Sequence, residues 1–387
     1  MQSKGLHILR WAGAIVLLLL IGMLIVEGTW AVRLYHSWLF VSVVMVAVVL
    51  LAIAGVRDVH RHAWAAAVSH IGLCCVLVGG MLGAVVKTDV KMVVDKHASE
   101  RVAYTETGTP LVLPFDIRLQ NFHIDYYDDG VSPKQFISTL TINGGETYTT
   151  SVNHPARYHG WWIYQSDYDH RQQDFCILQV VRDPWLPVVY VGFVLMVIGA
   201  ILQTCKAWHS WYLALVAAVL AGLFTVASLA RVELGTLVPA LRSLWFFPHI
   251  LIYMLAYSLL AIALVAAIGS VWQAHRQRQD DKFASLPIVH LTRCLLVSAS
   301  SLLLIGMLCG AVWAKDAWGD YWMWDAKECW AAVTWLITLL ASHIPTRKLS
   351  RGWLLVVIAL SFASMQITWY GVNYLPSAQY SMHTYNQ

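Results

Sequence analysis

The segment Trp318–Trp330 concentrates residue types that could bind a flat, apolar ligand, since it holds four tryptophans in thirteen residues. Tryptophan also forms belts at membrane surfaces, which would explain the aromatic residues alone. Asp325 and Glu328, however, place carboxylates at fixed offsets among the rings, and an aromatic platform with a polar edge suits a porphyrin. The residues expected to pack against such a ligand are Trp318, Gly319, Tyr321, Trp322, Trp324, Asp325, Glu328 and Trp330.

Histidines could bind the iron of a porphyrin, because low-spin haem iron takes two axial imidazoles. A single histidine in a helix is more often a packing residue or an interface anchor than a ligand. The membrane topology predicted from the apolar runs and the basic residues nevertheless places four histidines in two pairs, with the members of each pair at a similar depth in the bilayer. His70 and His343 lie toward the cytoplasmic side, whereas His249 and His383 lie at the outer face. An ionisable side chain at membrane depth is costly, which favours a functional role for His70.

The elements that carry these residues are predicted to be membrane helices, because 58% of the chain is hydrophobic and only 12% is charged. One bilayer crossing needs ~20 apolar residues. Apolar runs occur at about 11–26, 38–56, 63–86, 187–204, 211–229, 250–272, 292–313, 327–343 and 353–371. The eighth run is short and begins inside a charged segment. The sequence therefore predicts an all-α polytopic membrane part of about nine helices.

The placement of Lys and Arg predicts the orientation of this membrane part. With the N-terminus inside, twelve of them fall in the inner segments and five in the short outer segments. That is the expected inside-positive asymmetry, so we predict an N-in, C-out topology with an uncleaved first helix. The formal net charge of +4 then needs no nucleic-acid partner to explain it.

A polar stretch at about 87–184 separates the third apolar run from the fourth and is too long for a loop. It contains alternating residues at Phe136–Ile142, then Asn143-Gly144, then Thr147–Thr149, which together predict a β-hairpin. We therefore expect a small β-rich extracytoplasmic domain inserted after the third helix.

Other chemistry finds little support in the sequence. The seven cysteines form no CxxC pair and no zinc spacing, and most lie in apolar runs, so a thiol-disulfide role is not predicted. No residue stands out as a nucleophile or as a catalytic acid or base. Asp325 and Glu328 are expected to orient the site rather than to transfer protons.

The motifs of the second half resemble those of a known family. Trp318–Trp330 resembles the WGxxWxWDxxE motif of the haem-handling membrane proteins that serve cytochrome c maturation, with Ala326 in the usual place of Pro and Cys329 in that of Thr. Leu237–His249 resembles the segment before the first external histidine of the CcsA (ResC) branch. Ser381–Tyr385 resembles the segment around its second external histidine.

The polar stretch carries a second, independent resemblance. Val152–Ser166 is similar to the NHP...YQS stretch of CcsB (ResB) proteins. The resemblance implies both halves of a two-subunit cytochrome c synthetase in one chain, with a shortened extracytoplasmic domain. We expect a three-helix CcsB-like part at 1–86, a CcsB-like β-rich domain at 87–184 and a six-helix CcsA-like part at 185–387, whose first helix could belong to either half.

This resemblance implies a function as well as a fold. It implies an inner haem site at His70 and His343, an outer site at His249 and His383, and a haem lyase activity in the cytoplasmic membrane. The chain would carry haem b across the bilayer and present it for thioether attachment to the CxxCH motif of apocytochrome c. Implied partners are haem, the apocytochrome and an extracytoplasmic thioredoxin-like thiol reductant.

Two other haem-binding functions remain open. One is a haem-delivery protein that forms no thioether bond, against which the CcsB-like half argues. The other is a b-type electron-transfer cytochrome, although such proteins commonly place two ligands on one helix, whereas each candidate here comes from a separate segment. A scaffold without haem is a third, weaker option.

Overall fold

A computed structural model describes residues 2–208, 222, 236–277, 286–343 and 351–381 of the chain. The predicted apolar run at 211–229, apart from Gly222, lies outside these residues. His383 and the side chain of His343 lie outside them as well.

Helices occupy every predicted apolar run that falls within the described residues. They are α1 (Gln2–Trp30), α2 (Trp38–His60), α3 (Trp64–Val86), α4 (Leu186–Ala207), α5 (Phe246–Gln277), α6 (Pro287–Trp318), α7 (Ala326–His343) and α8 (Arg351–Trp369). Most of these helices extend beyond the apolar runs, because backbone hydrogen bonding continues where the side chains become polar.

Seven of the described helices are long and apolar enough to cross a bilayer, so the chain is a polytopic membrane protein. The helix α7 is not one of the seven. It has 18 residues, and Lys327 and Glu328 lie in its first turn. The predicted total of nine helices and the N-in, C-out orientation remain predictions.

A β domain separates α3 from α4, which confirms the predicted insertion of a β-rich domain after the third helix. Its strands are β1 (Thr88–Asp95), β2 (Glu100–Tyr104), β3 (Pro110–Tyr126), β4 (Pro133–Ile142), β5 (Thr147–Ser151), β6 (Ala156–Tyr158), β7 (Trp161–Tyr168) and β8 (Phe175–Arg182). They form one antiparallel sheet in the order β5-β4-β3-β2-β1-β8-β7-β6. The sheet curls until its ends meet, since the Thr150 hydroxyl on β5 donates to the carbonyl of Ile163 on β7 (2.8 Å).

The predicted hairpin is confirmed by the pairing of β4 with β5, in which Thr141 lies opposite Thr147. Asn143 and Gly144 both have left-handed backbone conformations, with φ of 50° and 63°. Asparagine and glycine adopt that conformation at little cost, which is why this dipeptide ends the strand here.

Close packing of α3 against α4 anchors both ends of the β domain to one helix pair. A Cβ atom added to Gly192 would lie 2.7 Å from the carbonyl oxygen of Gly72, and one added to Gly72 would lie 2.9 Å from the Met196 nitrogen. Small residues permit such backbone contact between membrane helices.

We call the end of the bundle next to the β domain proximal and the opposite end distal.

Candidate functional site

The tryptophan segment begins where α6 ends against the β domain. Gly319 terminates α6 in the left-handed conformation (φ 84°). A Cβ atom there would also lie 3.2 to 3.4 Å from side chains of Gln179, Val181 and Tyr164. Any larger residue would strain the backbone and press on strands β7 and β8, so glycine is required at this position.

The two acids of the segment form a capping box at the start of α7. One carboxylate oxygen of Asp325 accepts from the backbone N–H groups of Lys327 (2.7 Å) and Glu328 (3.2 Å). The Glu328 carboxylate in turn accepts from the N–H groups of Met323 (2.8 Å) and Asp325 (3.2 Å). These bonds satisfy donors that a helix start leaves unpaired, and they fix the loop that carries the tryptophans.

Trp324 packs the segment against α2 and against the connection between α1 and α2. Its ring stacks on Tyr35, with centroids 5.3 Å apart and planes 7° apart, and meets Phe40 edge-on at 5.1 Å. Trp322 lies edge-on to Trp324 at 6.0 Å. The backbone of Trp324 is left-handed (φ 59°), which is uncommon for a bulky residue and is typical of functional sites.

A cavity of about 2130 Å³ runs between these aromatic rings and the distal end of the bundle. Trp322 and Trp324 line its proximal end, and His70 lines its distal end. Its wall comes mainly from α1, α2, α3, α4, α6 and α7 and is predominantly apolar. Pockets for a single small ligand are typically ~300–1,000 Å³, so this cavity can hold a large apolar ligand in more than one position.

His70 lies on α3 with its ring oriented by an acid. Its Nδ1 is 3.0 Å from a carboxylate oxygen of Asp58 on α2, and the other oxygen of Asp58 accepts from Arg57 (2.9 Å). In this contact Nδ1 is the nitrogen that donates to the carboxylate. Metal-binding histidines are commonly oriented in this way.

His249 lies near the start of α5 with an equivalent orientation. Its Nδ1 is 2.8 Å from the carbonyl oxygen of Gly306, which can only accept, so Nδ1 is again the donor. The ring packs so closely on α6 that a Cβ atom on Gly310 would lie 2.7 Å from its Cε1. Trp313 lies 5.8 Å from the ring and 5.3 Å from Trp318. In the described part of the chain, His249 does not belong to the cavity wall.

The segment that leads to His383 is tied to the tryptophan segment. The Ser381 hydroxyl donates to the second carboxylate oxygen of Asp325 (2.6 Å). The chain therefore reaches the start of α7 two residues before His383. The structure therefore brings Ser381, at the start of the C-terminal tail, to Asp325 of the tryptophan segment.

Residues that the sequence analysis did not single out join the β domain to the segment before α5. The Asn153 amide, 5% exposed, donates to the carbonyls of Pro239 (2.9 Å) and Ala240 (3.1 Å). The Trp313 indole also donates to the carbonyl of Ala240 (2.9 Å). The two stretches that resembled different families are thus hydrogen-bonded to each other.

A polar cluster holds the tryptophan segment on the same domain. The Lys87 ammonium lies between the carboxylates of Asp320 (2.5 Å) and Asp89 (2.9 Å). Burial raises the pKa of Asp320, and Lys87 opposes that rise. Burial alone would lower the pKa of Lys87, but the two carboxylates outweigh it and raise that pKa. The Lys315 ammonium, which is buried, donates to the Gly319 carbonyl (2.7 Å). In the sequence, this cluster is indicated by Lys315, just before the tryptophan segment, and by Asp320 within it.

The fold and the site define a multi-pass membrane protein in which an inserted β domain holds an aromatic segment over a large apolar cavity. Residues 52–175 match the ResB-like family, and residues 185–378, half of the chain, match the cytochrome C assembly protein family. The chain therefore belongs to the cytochrome C assembly protein family and is a fused ResB/ResC-type cytochrome c biogenesis protein.

Several curated proteins named "Cytochrome c biogenesis protein CcsA" are similar to this chain. The one from Chlamydomonas reinhardtii is 30% identical over 161 residues, which cover 40% of this chain and 45% of that protein. The one from Guillardia theta is 33% identical over 171 residues, covering 38% and 56%. The one from Synechococcus sp. (strain CC9311) is 32% identical over 154 residues, covering 31% and 50%. The chain spans about half the length of the curated relatives it matches.

Proposed function

We propose that the chain moves haem b from the cytoplasmic side of the membrane to its outer face and holds it there for attachment to apocytochrome c. The observation that carries this proposal is the single cavity with His70 at its distal end and Trp322 and Trp324 at its proximal end. A porphyrin crossing a bilayer needs a wide apolar path with polar groups at its ends. Family membership supplies the connection with cytochrome c biogenesis.

Two pairs of histidines bind the iron in this proposal, His70 with His343 at the distal end and His249 with His383 at the proximal end. The hydrogen bonds that His70 donates to Asp58 and that His249 donates to the Gly306 carbonyl support it, because each orients an imidazole ring through Nδ1, as in metal-binding histidines. The Ser381–Asp325 bond supports an outer site formed with the C-terminal tail.

The tryptophan segment packs the porphyrin face at the outer site. The Trp322 indole nitrogen is buried and has no hydrogen-bond partner among the described residues. An unpartnered buried donor costs about 1–3 kcal/mol, which a hydrogen-bond acceptor brought in with the bound ligand would relieve. This orphaned donor, the aromatic wall and the oriented histidine fit haem.

The attachment is the addition of two thiols to two vinyl groups. Each cysteine sulfur of the CxxCH segment bonds to the vinyl carbon next to the ring, and the thiol hydrogen ends on the outer carbon, so no electron acceptor is needed. The apocytochrome histidine replaces one protein imidazole on iron. The chain acts as a haem lyase by positioning the reactants, and a thioredoxin-like partner keeps the cysteines reduced.

This function requires the predicted orientation. The proximal end, with the β domain and the tryptophan segment, faces the outside of the cytoplasmic membrane, and the distal end faces the cytoplasm. Reporter fusions to the N-terminus and to the β domain test it, since a cytoplasmic β domain would contradict the proposal.

Expression with a c-type apocytochrome in a host that lacks its own maturation genes tests the activity. We expect covalent haem on the apocytochrome with the unaltered chain, and little with His249→Gly or His383→Gly until imidazole is added. His123→Gly, an exposed histidine of the β domain, is the matched control and should behave like the unaltered chain. A chain that binds haem but yields no covalent product would favour haem delivery, and one that binds no haem would refute the proposal.

A further inference from the structure

The distal end of the cavity carries two arginines for which the haem route described above has no role. Arg57 and Arg61 line the same cavity as His70. They are four residues apart, at the end of α2 and at its C-terminal cap, so their side chains project from one face of the helix. The neighbouring wall on α2 is apolar and includes Leu50 and Ala54.

Asp58 fixes the position of Arg57 relative to His70. One oxygen of Asp58 accepts from Nε (3.1 Å) and Nη2 (2.9 Å) of Arg57, and the other lies 3.0 Å from Nδ1 of His70. A guanidinium group has five N–H donors in a rigid fork, and these bonds use two of them. The guanidinium and the imidazole are therefore held together at the edge of the cavity by one buried carboxylate.

We propose that Arg57 and Arg61 form a carboxylate-binding subsite, which takes the propionates of haem while His70 binds the iron. This inference rests on the proposed function. Haem carries both propionates on one edge of an otherwise apolar ring, so an apolar cavity that admits the ring must neutralise that edge. Guanidinium groups do so well, because they bind carboxylates through paired N–H···O bonds.

The subsite makes haem bind with its propionate edge toward the distal mouth. The ring and its vinyl edge then point into the cavity, toward the aromatic segment where those vinyl groups are needed. Arg57 is half-buried and pre-oriented by Asp58, so its charge-assisted bonds should contribute about ten-fold in affinity. Arg61 is exposed, and its contribution should be about two- to five-fold.

The test compares haem with its dimethyl ester, which has the same ring and iron but a neutral edge. The full chain is purified as the His249→Gly variant, so that the outer site does not obscure the inner one. The affinities for haem and for its dimethyl ester are measured from the Soret band of the His249→Gly chain. The same measurement is made after Arg57→Gln, Arg57→Lys or Arg61→Gln is added to that chain. Arg276→Gln is the control, because Arg276 lies near the distal end of α5 and packs on Trp272 instead of the cavity.

We expect the His249→Gly chain to prefer haem over the ester and Arg57→Gln to lower that preference about ten-fold through weaker binding of haem alone. Arg57→Lys should keep part of the preference, and Arg276→Gln all of it. If the arginine substitutions lowered the affinities for haem and for the ester equally, or if the His249→Gly chain did not prefer haem over the ester, the subsite would be overturned. Binding of haem itself would remain intact. If neither the unaltered chain nor the His249→Gly chain bound haem or its dimethyl ester, that result would instead refute the proposed function.

Discussion

Asn153 offers a direct test of how the β domain positions the segment that leads to His249 in the proposed outer site. Its amide makes two hydrogen bonds, one buried and one partly buried, to carbonyls of the segment that precedes α5 and His249. Loss of a buried hydrogen-bond partner costs about 1–3 kcal/mol. The Asn153 backbone is also left-handed (φ 66°), a conformation that costs alanine about 1–2 kcal/mol and glycine almost nothing. Asn153→Gly therefore removes the side chain and its bonds without backbone strain, and Asn153→Ala removes the bonds and adds strain.

Hydrogen exchange of peptides covering residues 236–245 measures this loss. We expect Asn153→Gly to speed their exchange about 5- to 150-fold, which corresponds to the lost bonds, and Asn153→Ala to speed it further. Asn143→Gly is the control, since Asn143 is also left-handed (φ 50°) but lies in the exposed β4–β5 turn. Unchanged exchange in both Asn153 variants, with the β domain folded, would refute the role of this contact.

Two further changes probe the proximal end. Lys87→Met should weaken the contact between the β domain and the tryptophan segment by about 1–2 kcal/mol. This loss is smaller than the loss expected on breaking a fully buried ion pair. Without the ammonium the pKa of Asp320 rises further, so the loss is greater at about pH 8, where the acid ionises unpaired, than at about pH 5. Thermal unfolding at both values checks this, and adding Asp320→Asn should restore stability. Gly310→Ala should displace the His249 imidazole and abolish the outer-site haem spectrum, whereas Gly352→Ala, which has open space, should not. An unchanged Gly310→Ala spectrum would remove His249 from the site.

Much of the fold could be predicted from local sequence signals. The apolar runs located the described helices, because one crossing needs a fixed length of apolar chain. The Asn143-Gly144 pair predicted the position of a hairpin, because few pairs of neighbouring residues can both adopt the left-handed conformation. Asp325 followed three residues later by Glu328 is also a helix-start pattern, and both acids cap α7, whereas their position among tryptophans favours the polar edge of a ligand platform.

Contacts between distant segments could not be predicted in the same way. Asp58 and His70 lie on separate helices, and Asn153 is 86 residues from Pro239. Such pairs depend on how helices and sheet pack in three dimensions, which the period and composition of each segment do not encode. The cavity is likewise a property of six helices together.

The cavity makes the two halves of the chain depend on each other. Helices α1, α2 and α3, which precede the β domain, and α6 and α7, which follow it, form parts of the same wall, so neither half of the chain encloses the cavity alone. The β domain then fixes the proximal end, because it contacts both the segment before α5 and the start of the tryptophan segment. A single chain keeps these parts at high effective concentration, which favours a closed path over two subunits that must first meet. The fusion therefore supports the geometry that the proposed haem route requires.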